Sequence, residues 1–82
     1  MLRPMPLYYF HIYNDAITMD EEGVELADAH AARAHAVNGA RSLVCETARH
    51  GYLVRAHRIE IVDEHQKPVG TVRFDEAVEI RQ

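Results

Sequence analysis

The chain has 82 residues, 48% of them hydrophobic, and a formal net charge of −4. That length sets one small domain with a modest core, and the apolar fraction excludes general disorder. The negative balance argues against broad electrostatic binding of nucleic acid. The single Cys45 excludes an internal disulfide and fits a reducing compartment, and no apolar run reaches the length of a membrane span.

The first six residues read as a flexible lead-in, because Pro4 and Pro6 oppose both helix and central strand. They also interrupt any signal peptide, so a cytoplasmic protein is expected. Met5 would serve as a start in its own right, with residues 1–4 as an extension. Leu7 to Tyr13, LYYFHIY, is the best strand, rich in aromatic and β-branched residues. Alternation assigns Tyr8, Phe10 and Ile12 to a covered core face and Tyr9, His11 and Tyr13 to the opposite, open face. Aromatics on an open sheet can stack nucleic-acid bases. The preferred reading of Tyr9, His11 and Tyr13 is instead an interaction surface that a second copy covers.

Asn14-Asp15 marks a turn. Residues 16–19 form a short second strand, Asp20 to Gly23 a second turn, and Val24 to Leu26 a lead into a helix cap. Six acids and no base lie between Asp15 and Asp28. They lack the alternating acids, central glycine and late glutamate of a calcium loop, so they read as a solvated acidic hairpin near the positive end of a helix.

Asp28 to His50 is the long periodic segment. At 100° per residue Ala29, Ala32, Ala36, Gly39, Ala40, Leu43 and Thr47 share one side, with Val44 at its margin. Asp28 supplies the N-cap, Arg49 and His50 suit the last turn, and Gly51 suits the left-handed position that follows. Cys45 falls on the polar side as an inert thiol. Tyr52-Leu53-Val54 is placed under the helix exit. His57 to Asp63 alternates as a strand, Glu64 to Pro68 turns, and Val69 to Phe74 returns as its hairpin partner. Asp75 to Ile80 reads as a last helical turn or an extension.

The fold class is therefore α+β: one amphipathic helix on one face of a three- to four-stranded, mostly antiparallel sheet, in the order strand, strand, helix, strand, strand. Residues 1–82 make a single domain.

The six histidines form no zinc spacing. His11 and His57 lie on strands and would face each other if those strands were neighbours, but the default is scattered surface imidazoles. No nucleophile elbow, phosphate loop or dinucleotide fingerprint occurs, so neither an enzyme nor a cofactor or metal is expected. The segment from Arg49 to Arg58 carries three arginines and no acid. Arg49, Arg55 and Arg58 are candidate phosphate contacts of a weak, salt-dependent site. The same segment could instead complement the acidic stretch of a second copy, which is the preferred alternative.

The blocks M-P-L-Y-Y-F-H-I-Y-N-D (5–15), D-E-E-G-V-E-L-A-D (20–28), A-A-R-A-H-A (31–36), R-I-E-I-V-D-E (58–64) and V-R-F-D-E-A-V-E-I (72–80) resemble a family of small proteins of unknown function common in rhizobia and related proteobacteria. Its members open M-P-x-Y-x-F-H and carry D-E-E-G-x-E-L before the helix. The resemblance covers nearly the whole chain from Met5. It implies a bacterial protein of the fold class above and supplies no catalytic residues. This chain departs from it in residues 1–4 and in the histidines of its helix. At the level of fold alone, the strand, hairpin, helix, strand arrangement also looks like the partial RNA-binding fold of HicB-type antitoxins. The leading expectation is a non-enzymatic cytoplasmic module that forms homodimers and binds a protein partner, with no membrane contact. The alternative is a nucleic-acid-binding, antitoxin-like module.

Overall fold

The computed structural model describes residues 5–79 and residue 81. The expected lead-in lies largely outside the described residues, as does Ile80 of the expected C-terminal extension. Five strands and one helix follow in the order β1 (Leu7–Tyr13), β2 (Ile17–Thr18), β3 (Val24–Glu25), α1 (Ala29–Arg49), β4 (Arg58–Asp63) and β5 (Pro68–Arg73), closed by a 3-10 turn at Phe74–Glu76. The sheet is antiparallel throughout. β4 lies between β1 and β5, and the outer edge of β1 is shared by β2 at one end and β3 at the other. The class is α+β as expected, with one strand more than expected. Val24–Glu25 is a strand and not merely a lead into the helix, pairing Tyr8 with Val24 and Leu7 with Glu25.

The helix begins and ends where its chemistry directs. The Asp28 carboxylate accepts from the Ala31 amide at 2.9 Å, which satisfies one orphan donor of the first turn. Gly51 follows the C-cap with φ 88°, a conformation that costs a glycine little. Ala32, Ala36 and Ala40 form the fully buried stripe, four residues apart, and they bring α1 down over β4 and β5. Ala29 is exposed, because it precedes the point where helix and sheet meet.

The core is a single layer between that stripe and one face of the sheet. Strand alternation and register put Tyr8, Phe10 and Ile12 of β1, Ile59 and Ile61 of β4 and Val72 of β5 on this face, with Phe74 following. Phe74, Ile61 and Val72 are its largest fully buried side chains. At roughly 25 cal/mol per Å² each contributes about 1.5–3 kcal/mol, whereas each alanine adds far less. The sheet side of the core thus supplies most of the apolar area that the two layers bury together.

Tyr52-Leu53-Val54 does not pack under the helix exit. These three residues stand 44%, 38% and 36% exposed. Past Gly51 the backbone leaves the helix axis, and Val54 is tied by its carbonyl to the His57 amide at 3.2 Å, which holds the segment outside the core.

Candidate functional site

The sheet face turned away from α1 carries Leu7, Tyr9, His11 and Tyr13 from β1 and Arg58, Glu60 and Val62 from β4. Ile17 of β2 joins it, because it pairs with Tyr13. No helix covers this face among the described residues. Tyr9 and Tyr13 are half-buried, as are Leu7 and Val62, and Ile17 is 64% exposed. The Arg58 guanidinium lies 4.3 Å from the centre of the Tyr13 ring, a cation–π contact, and its Nε donates to Glu60 at 2.7 Å.

His11, expected in the open between the two tyrosines, is only 6% exposed. The chain covers it with its own β2–β3 loop. The Asp20 amide donates to His11 Nδ1 at 3.0 Å, so the imidazole proton sits on Nε2. The Asp20 carboxylate completes the clasp by accepting from the amides of Phe10, Glu22 and Gly23, each at 3.1 Å. It fills the gap that β2 and β3 leave on the edge of β1, acting where a strand carbonyl would. Burial pushes this carboxyl upward. The amides of Gly23, Phe10 and Glu22, with His11 beside it, outweigh burial and hold it below the usual carboxylate value. Part of the acidic stretch is therefore structural: Asp20 bonds the sheet, while Glu21 and Glu22 are exposed.

Gly23 makes the loop possible. Its φ is 74°, and a side chain there would place Cβ 3.0 Å from the Tyr9 ring and 3.2 Å from the Tyr8 carbonyl oxygen. The loop thus lies against Tyr9 and fixes its ring.

The histidines are not all superficial, since His11 and His57 are both buried. β1 and β4 are indeed neighbours, yet the two imidazoles do not face each other. His11 pairs with Glu60 on the helix-free face, while the alternation of β4 sends His57 to the core face with Ile59 and Ile61. There its ring meets Phe74 edge-on at 5.6 Å, Nε2 lies 3.4 Å from Asp15 Oδ1, and Nδ1 is buried without a hydrogen-bond partner. A shared metal or proton-transfer site between His11 and His57 is excluded by this geometry.

The three candidate phosphate contacts are spread out and partly engaged. Arg49 pairs with Glu46 at 2.8 Å, Arg58 with Glu60, and Arg55 stands exposed in the turn before β4. A shallow depression of ≈ 290 Å³ along the outer side of α1 includes His30, Arg33, Asn38 and Arg41. Its arginines brace the sheet: Arg41 Nε donates to the Ala77 carbonyl at 2.7 Å, and Arg33 reaches the Thr71 carbonyl at 3.4 Å and Glu76 at 3.8 Å. Glu76 in turn accepts from the Arg73 amide at 3.0 Å, so side chains shield the free edge of β5 from another strand.

Tyr9 and Tyr13 lie on the sheet face that alternation assigns them, whereas the sequence reading does not give Ile17, Asp20 or the Asp15–His57 contact. Ile17 was findable, since a hairpin register about the Asn14-Asp15 turn brings it beside Tyr13. The clasp by Asp20 had no local signal.

No helix among the described residues is long and apolar enough to cross a membrane. The family model of a domain of unknown function (DUF6894) matches residues 7–75. No curated protein and no solved structure matches the chain.

Proposed function

The chain belongs to this DUF6894 family of unknown function, and we propose that it is a non-enzymatic cytoplasmic module that pairs with a second copy of itself through the helix-free sheet face and, so assembled, binds a protein partner. The observation that carries this reading is the apolar cluster of Leu7, Tyr9, Tyr13, Ile17 and Val62 on a sheet face that, among the described residues, no helix covers and the 20–23 loop covers only in part. A sheet with one bare apolar face is stable when another sheet packs on it, about 10 Å away. Edge-to-edge pairing through β5 is disfavoured by the Arg33 and Glu76 side chains that occupy that edge.

The test is solution mass. Replacing Tyr9, Tyr13 and Ile17 with Ser is expected to convert a dimer into a folded monomer, read by native mass spectrometry and light scattering. His11 is left in place, because it holds the Asp20 loop. An unchanged mass for that variant refutes the reading. The alternative, nucleic-acid binding through Arg49, Arg55 and Arg58, predicts binding to a generic RNA that collapses between low and moderate salt. It is the weaker reading, since two of the three guanidiniums already hold a carboxylate.

A further inference from the structure

On the helix side of the sheet a groove of ≈ 280 Å³ runs between α1 and β1, lined by Phe10, Ile12, Gly39 and Leu43 together with the polar His35 and Ser42, and the His35 ring lies 4.6 Å from that of Phe10. It exists because α1 sits over β4 and β5 and leaves Phe10 and Ile12 only partly covered. Gly39 on its floor is not demanded by packing. A Cβ there would meet Ile59 Cδ1 at 3.5 Å, an ordinary contact, so alanine would fit and would favour the helix. The glycine keeps the groove deep. At ≈ 280 Å³ the groove falls just short of the ~300–1,000 Å³ typical of small-molecule and cofactor sites, a size suited to one or two side chains. The segments that flank the outer edge of β1 carry exposed acids, Asp15, Glu21 and Glu22.

The same chain carries the complement. Tyr52, Leu53 and Val54 form a run of three exposed apolar residues at the tip of the turn after α1, between Arg49 and Arg55. Such a run is unfavourable on a free surface. We propose that the Tyr52–Leu53–Val54 turn of one copy docks in the Phe10–Gly39–Leu43 groove of another, with the exposed Arg55 beside it facing the acidic segments along the outer edge of β1. The contact joins two different patches, so it is heterologous and links copies head to tail. It is separate from the two-fold sheet-face contact, and together the two would build assemblies larger than a dimer.

The experiment uses the full chain carrying Tyr9→Ser, Tyr13→Ser and Ile17→Ser, so that sheet-face pairing is absent and its failure cannot be confused with failure here. Sedimentation velocity over a concentration series is expected to show mass rising above the 9.4 kDa protomer. Adding Gly39→Leu, which fills the groove, or Tyr52→Ser with Leu53→Asp, which spoils the turn, should weaken association about 10- to 100-fold, the worth of one or two buried apolar side chains. Mixing those two variants should restore association, because one keeps an intact turn and the other an intact groove. That recovery also shows that both variants are folded. A mass that stays at the protomer at every concentration, or a mixture no different from its separate components, overturns the proposal. The second outcome is also what docking of the turn into its own groove would give.

Discussion

Asp20 offers the sharpest perturbation of this fold. Its carboxylate takes three backbone amides, of which Glu22 is solvent-exposed and can turn to water, while those of Phe10 and Gly23 are partly buried. A hydrogen bond to a charged group contributes about 1.5–3 kcal/mol net, so losing the two partly buried ones at the lower bound costs about 3 kcal/mol for Asp20→Ala. Asp20→Asn keeps one acceptor oxygen and should cost about 1.5 kcal/mol, or a melting temperature lower by about 6–12 °C for a domain of this size. Because the folded carboxyl sits below its unfolded value of about 3.9, the folded state binds fewer protons than the unfolded state in acid. The stabilisation is complete above that unfolded value and drains away as the pH falls through the folded one. Urea unfolding of the wild type and Asp20→Asn should therefore differ most near neutral pH and converge in acid, below the ordinary carboxylate range. Hydrogen exchange gives a site-specific reading, since the Phe10 amide should lose protection in the variant. A gap that stays constant down to strong acid, or a Phe10 amide equally protected in both proteins, would refute the role given to Asp20.

Other substitutions probe the remaining features. Gly23→Ala should destabilise by about 2–3 kcal/mol, because a Cβ strikes both the Tyr9 ring and the Tyr8 carbonyl at a left-handed φ. Gly51→Ala should cost only about 1 kcal/mol, since its Cβ would meet nothing within 4 Å; equal losses for the two in denaturant titrations would contradict the steric argument. His57→Phe removes a buried nitrogen with no partner while keeping a ring against Phe74, and thermal melts should show stability unchanged or raised by up to about 1 kcal/mol. Ala36→Leu should lower stability by about 1–3 kcal/mol, because the helix has no room to rise off β4 and β5 without emptying the core.

The helix was legible almost to the residue, because its cap, its alanine spacing and its terminal glycine all act within a few residues of one another. The strands β1, β4 and β5 were legible for the same reason, each carrying its own alternation. Val24–Glu25 escaped because two residues show no period, and it is a strand only by virtue of lying beside Leu7 and Tyr8. The faces of β1 were assigned correctly, yet His11 is buried on the face read as open. What buries it is a loop held by a hydrogen bond across nine residues, and no local pattern encodes that bond. Adjacency of their strands alone would allow His11 and His57 to face each other, although the sequence default is scattered surface imidazoles. The actual register places them on opposite faces, a consequence of side-chain alternation once the pairing of Ile12 with Ile59 is known. The arginines looked like one patch because sequence proximity hides the carboxylates of Glu46 and Glu60 that engage two of them.

The uncovered surfaces have one geometric cause. An α-helix with its side chains is about 10–12 Å across, and neighbouring strands lie about 4.7–4.9 Å apart, so one helix shelters roughly two strands. Here α1 shelters β4 and β5, and the short side chains of Ala32, Ala36 and Ala40 that let it approach cannot reach sideways to β1. Phe10 and Ile12 are left half-covered on the helix side, and Tyr9, Tyr13 and Ile17 lie on a face that no helix covers among the described residues. A longer residue at position 36 or 40 would spread the cover only by lifting the helix from Ile59, Ile61 and Val72. The one helix and five strands of the described residues thus present more apolar sheet than they bury. The two proposed contacts between copies would supply that cover, and the surfaces they use are distinct enough to be broken one at a time.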